Sequence, residues 1–227
     1  MAKITIWEET TKHPISLIGK AAGTCWGADT SDDEKNYKRG WDCIKSQHGR
    51  TWEWPDVYLT LDHYSARVIR EFYTHIGGCP SRLQESTRYV DCTDFKYVIP
   101  PSIMKCEHPR ALALYHDIMA AIGYAVEELE ALGIPREDSA MVLPLGMETK
   151  VVLKVNLRTL VDMSHQRMCA RAYWEYRQLM KDLREALCDY SVEWETLVLE
   201  LFEPKCEFLG YCPEKHSCGR VAKKSNN

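Results

Sequence analysis

A helix that is made to stop sets the terms for this chain. From Ser65, the apolar residues Val68, Ile69 and Phe72 recur at helical spacing, and the pattern breaks at Gly77-Gly78 and Pro80. A run of hydroxyls, amides and arginines follows through Val90: Ser81, Arg82, Gln84, Ser86, Thr87, Arg88 and Tyr89. Two adjacent glycines let backbone N–H groups approach a ligand closely, and arginine forks match phosphate or uracil oxygens. Taken alone, the stretch reads equally as an anion- or nucleotide-binding loop and as an ordinary polar turn.

The chain around it is long enough to build its own core. It has 227 residues, 45% hydrophobic and 27% charged, an ordinary globular balance. A net charge of −4 excludes a general nucleic-acid coat, which needs a basic excess to neutralise phosphates. No apolar run approaches a membrane span, and MAKITIWEE lacks the layout of a signal peptide. Ten cysteines without a secretion signal read as reduced thiols in a cytoplasm.

Alternation of Ile4 and Ile6 predicts a short strand, and Pro14 to Cys25 a helix with Ile15, Ile18 and Ala22 inward. Ala28 to Arg39 reads as a charged surface loop entering a helix near Asn36 to Gln47. Val57 to His63 and Lys150 to Val155 alternate as half-buried strands. Asp91 to Met104 reads as a connecting arm. Glu107 to Leu132 predicts a long helix with Leu114, Ile118, Ala121, Ala125 and Leu129 on one stripe, facing the core or a partner subunit. A second long helix is expected after Asn156, with Leu157, Val161, Ser164, Met168, Ala172, Leu179, Leu183 and Leu187 in register, and a shorter one from Val192 to Phe202. Arg167 falls beside that stripe, where a cation needs an anionic or carbonyl partner or a route to solvent. Cys206, Cys212, Cys218 and His216 are spaced more widely than the paired cysteines of zinc sites, so no metal is expected there. These elements predict one α+β domain over residues 1–227, a mixed or antiparallel sheet packed with long helices, with a cysteine-containing extension from about 203.

Two blocks carry a family resemblance. His75 followed by Ser81, and then Ser86-Thr87-Arg88-Tyr89, resembles the Arg-His-Arg, Ser, Ser-x-Arg-Tyr pattern of flavin-dependent thymidylate synthases. The second block runs from Leu143-Pro144 through the strand to Asn156-Leu157-Arg158, Arg167 and Arg171-Ala172-Tyr173-Trp174-Glu175-Tyr176-Arg177. It is similar to the family's Leu-Pro, strand, Asn-x-Arg, helical Arg and Ala-Gln-Trp-Glu-Ile-Arg, departing from it at Tyr173. His48 to Pro55 stands where the family has a flavin-lining His-Glu-Ser/Thr-Pro-Phe-Glu-His segment, with Trp54 in place of its second His. Trp54 is therefore either a flavin neighbour or a core aromatic.

The resemblance implies a homotetramer that binds FAD, takes reducing equivalents from NADPH, and transfers a methylene group from methylenetetrahydrofolate to dUMP, giving dTMP. It places Ser86, Arg88, Gln84, Glu71 and Arg167 at the nucleotide, with Arg167 catalytic at the uracil, and His75, Asn156 and Arg158 at FAD. Thr74, Ile76 and Ala140 stand where the family carries arginines, and Arg82 is positioned to compensate. Three alternatives remain open from sequence: a flavoenzyme acting on another pyrimidine nucleotide, a non-catalytic flavin or nucleotide binder, and an interaction protein stabilised by metal at the C-terminal cysteines.

Overall fold

A computed structural model describes residues 3–75 and 81–224. In chain order the elements are β1 (Lys3–Ile6), α1 (Pro14–Thr24), α2 (Asp33–Lys45), β2 (Asp56–Ser65), α3 (Ala66–Phe72), β3 (Ser81–Gln84), α4 (Pro101–Met104) and α5 (Arg110–Ala131). They continue with α6 (Arg136–Ser139), β4 (Glu148–Asn156), α7 (Leu157–Arg167), α8 (Trp174–Tyr190), α9 (Val192–Leu201) and α10 (Lys205–Leu209). The strands form one sheet in the order β1-β2-β4-β3. Lys150 pairs with Asp62 at 3.1 Å and Lys154 with Asp56 at 2.7 Å. Numbers rise along β4 as they fall along β2, so these central strands are antiparallel, and the fold is α+β as the sequence predicts.

The chain divides into two compact units. The first comprises Met1–Lys3, Leu61–Thr74 and Leu83–Val151; the second comprises Ile4–Thr60, His75–Arg82 and Val152–Asn227.

In the first unit, Ser65 caps α3 by accepting from the Val68 N–H, and Val68, Ile69 and Phe72 are buried. Alternation along β2 slips at His63, a non-glycine residue at φ 62°, whose Nδ1 donates to the Glu148 carboxylate at 2.7 Å. The buried side of α5 is Met119, Gly123 and Val126, rather than the predicted stripe. Leu114 and Ile118 are 53% and 48% exposed. The registers differ because a backbone carbonyl, that of Thr93, lies against Gly123. A Cβ there would meet it at 2.7 Å, so the small residue marks the contact face. The predicted polar loop after Pro80 begins instead as the edge strand β3, and the Glu85 N–H continues its pairing onto the Lys150 carbonyl.

In the second unit, α2 starts earlier than predicted because Asp32 caps it, its side chain accepting from the Lys35 N–H. Helices α1 and α2 cross at glycines. A Cβ on Gly19 would fall 1.8 Å from the Asn36 carbonyl oxygen, and one on Gly40 1.9 Å from that of Ile15. The first N–H groups of α1, at Ile15 and Ser16, donate to the Glu193 carboxylate from α9. The predicted long helix after Asn156 is broken into α7 and α8 by the turn at 168–173. No glycine or proline announces that break. The Arg177 guanidinium holds it from the next helix by donating to the Ala170 carbonyl. The core beneath is Ile15, Ile18, Ile44, Leu157, Leu160, Leu179, Leu183 and Trp194, each contributing about 1.5–3 kcal/mol where fully buried. Of the tryptophans at 52 and 54, Trp52 is the core residue; Trp54 is 60% exposed.

Candidate active site

The break between α7 and α8 makes Arg167 the last residue of a helix, where unpaired carbonyls favour a cation. Its Nε–H donates to His75 Nε2 at 2.9 Å, and its guanidinium carbon lies 4.6 Å from the ring centroid of Tyr176. Tyr176, the third residue of α8, is fully buried, and the His75 ring meets it edge-on at 5.9 Å. Burial first, and the Arg167 charge second, lower the His75 pKa from 6.5 to about 4. His75 is therefore neutral, with its proton on Nδ1 and Nε2 as the acceptor. An arginine, a neutral histidine and a tyrosine face thus form one preorganised cation site within the second unit.

The remaining flavin candidates also lie in this unit. Asn156 caps α7, its Oδ1 accepting from the Thr159 N–H at 2.9 Å. Arg158 pairs with Glu53 at 2.6 Å. A cleft of about 430 Å³ is lined by Arg158, Trp52, Gly49, His165 and Phe208. Trp52 is 8% exposed, and its buried Nε1–H has no hydrogen-bond partner among the described residues. An unused donor, stacked aromatic rings at His165 and Phe208 (4.7 Å) and a cation at the edge fit part of a flavin dinucleotide, which offers ring acceptors and phosphates. A second cleft of about 490 Å³ runs from Arg167 and Arg171 to the tail, where Arg171 pairs with Glu214 at 2.7 Å. Among the described residues, no group of three His, Cys, Asp or Glu side chains is arranged to hold a metal ion.

The nucleotide candidates other than Arg167 lie in the first unit. The Gln84 side chain accepts from the Tyr73 hydroxyl at 2.7 Å and donates to Thr149 at 3.2 Å. Ser86 opens a turn, its hydroxyl accepting from the Arg88 N–H and its carbonyl from Tyr89 and Val90. Arg88 pairs with Glu137 at 2.9 Å with both side chains more than half exposed, a contact worth about 0–1 kcal/mol that a phosphate can displace. The Glu71 carbonyl accepts from the Thr74 hydroxyl at 2.7 Å, so Thr74 is turned to its own helix. Ala140 is half-buried at the start of a 3-10 turn. Ile76, Gly77, Gly78 and Pro80 lie outside the described residues.

Sequence reasoning missed Tyr176. The resembled block has isoleucine at that position, a second departure that the comparison at Tyr173 passed over, and only the break at 168–173 shows that its ring meets Arg167.

Comparison with known proteins agrees with the residue blocks. Residues 8–190 match the family model described as thymidylate synthase complementing protein. The flavin-dependent thymidylate synthase of Clostridium tetani is 32% identical, covering 94% of this chain and 92% of its own. That of Nitratidesulfovibrio vulgaris is 30% identical, covering 92% and 91%. Among solved structures, a UMP/dUMP methylase from Streptomyces cacaoi bound with 5-Br dUMP superposes with a TM-score of 0.71 at 14% identity, over 89% of this chain and 96% of that one. The Helicobacter pylori flavin dependent thymidylate synthase complexed with FAD and dUMP gives 0.62 at 20%, over 86% and 99%. With the fold and the blocks around His75 and Arg167 in agreement with these matches, the chain belongs to the flavin-dependent thymidylate synthase family.

Proposed function

We propose that this protein methylates dUMP to dTMP, with methylenetetrahydrofolate as the one-carbon donor and FAD reduced by NADPH as the hydride source. The observation that carries this reading is the fixed Arg167, held by neutral His75 and the Tyr176 face in a chain of this family. A guanidinium held before the substrate arrives can polarise a uracil carbonyl without reorganising. Arg88 and Ser86 would take the nucleotide phosphate by charge-assisted hydrogen bonds, with Gln84 and Glu71 beside them. Arg158, Asn156 and the Trp52 N–H would hold FAD, which supplies hydride when bound. His75, assigned to the flavin from the motif, serves Arg167 as well.

The protein is further proposed to be a cytoplasmic homotetramer forming one catalytic domain, with residues from about 203 as an extension. Leu114, Ile118 and Ala121, exposed at helical spacing along one face of α5 in the first unit, support assembly, since a contiguous apolar stripe left in solvent marks an interaction surface. No helix among the described residues is long and apolar enough to cross a membrane.

A second reading, methylation of a different pyrimidine nucleotide, is favoured by Thr74 and Ala140 standing where the family carries arginines. One assay separates the two. The purified protein is supplied with FAD, NADPH and methylenetetrahydrofolate and offered dUMP or UMP, with visible absorption and product mass recorded. Flavin bands that bleach with NADPH, together with a 14 Da gain on dUMP alone, are expected; the same gain on UMP alone would establish the second reading. Absence of flavin uptake would refute both.

A further inference from the structure

Two contacts of the Arg167 guanidinium differ in kind. Its Nε donates to the ring nitrogen of His75 at 2.9 Å, and its guanidinium carbon lies over the ring of the fully buried Tyr176, 4.6 Å from the centroid. His75 and Tyr176 also touch each other, with ring planes inclined at 66°, so neither can turn independently. With Nε turned to His75, the terminal amino groups are the donors that move with the guanidinium plane. Their orientation is set by the plane in which the guanidinium is held.

We propose that Tyr176 is a positioning residue for nucleotide recognition, its ring face fixing the plane of the Arg167 guanidinium so that the terminal amino groups are aligned before the pyrimidine arrives. This rests on Arg167 being a nucleotide contact. An arginine samples many rotamers in solution, and fixing one of them beforehand lowers the cost of ordering it on binding. Stacking on a desolvated aromatic face is the stronger form of the cation–π contact. Leucine, or the isoleucine of the resembled block, could fill the volume but would offer no such face.

The test uses the full chain loaded with FAD and measures the dissociation constant for dUMP by titration calorimetry. Tyr176→Phe keeps the ring face and is expected to bind within about twofold of the parent. Tyr176→Leu is expected to weaken binding about tenfold, the upper range of the cost of ordering one rotamer-rich side chain on binding. Because Tyr176 is a core residue, Tyr176→Leu is repeated in an Arg167→Gln background, where its effect should fall to less than about twofold if it acts through the guanidinium. Equal binding by the Phe and Leu variants, or an undiminished Leu effect in the Arg167→Gln background, would overturn the proposal. Unchanged dUMP binding by Arg167→Gln alone would instead remove the functional reading beneath it.

Discussion

Replacing His75 by glutamine should remove a definite piece of the protein's pH dependence. In the folded chain His75 is 9% exposed and accepts a hydrogen bond from Arg167, and both burial and that cation hold its pKa down at about 4 rather than 6.5. The unfolded chain therefore takes up a proton on this residue at a pH where the folded chain does not, and stability must fall as the pH falls through that interval. At about 1.36 kcal/mol per pKa unit, the full interval corresponds to about 3 kcal/mol. The contribution is intact above about pH 7, declines between 6.5 and 4, and is flat below 4. Glutamine can still accept from the Arg167 Nε–H but does not titrate. Urea unfolding of the parent and the His75→Gln variant at half-unit steps from pH 8 to pH 4 should show the parent losing about 3 kcal/mol relative to the variant on the acid side. Curves that stay parallel over that range would refute the buried, neutral histidine and with it the assigned tautomer.

Two further outcomes are expected. Gly40→Ala should destabilise the protein by about 3 kcal/mol, because the added methyl would sit 1.9 Å from the Ile15 carbonyl oxygen and α1 and α2 would have to separate. Helix propensity alone predicts a gain of about 1 kcal/mol for the same change, so the sign of the shift in Tm decides between them. Arg82→Ala should weaken dUMP binding about tenfold if Arg82, half-buried on β3, stands in for the arginines replaced by Thr74 and Ile76; unchanged affinity would discard that role.

What could be read from the sequence was local. Alternation placed β2 and β4 because each buries one side, and Ser65 ahead of Val68 and Ile69 marked the start of α3. Family blocks pointed to Arg167 and His75 from residue order. The features that escaped depend on distant parts of the chain. Gly19 and Gly40 look like helix-weakening residues until the helix crossing is seen. Asp32 as the cap of α2 was available from its residue type, but the surrounding charges made the segment look like a loop. On α5 the richer apolar stripe drew the prediction, whereas the Thr93 carbonyl against Gly123 sets which side is buried.

The same distinction explains the site. Residue order brought Arg167 and His75 under suspicion separately, as a nucleotide contact and a flavin contact, although they are 92 residues apart and share a hydrogen bond. That bond requires a neutral imidazole, burial makes the imidazole neutral, and the Tyr176 ring is one of the groups packed against it. Tyr176 can pack there because the turn at 168–173 restarts the helix in a new direction, held from behind by Arg177 on the Ala170 carbonyl. A continuous helix from Leu157 to Leu187, as periodicity suggests, would have placed Tyr176 nine residues along the same axis from Arg167, about 13 Å away at the helical rise per residue, with no shared contact. The interruption, which carries no glycine or proline to announce it, is therefore what turns a motif arginine into a positioned one.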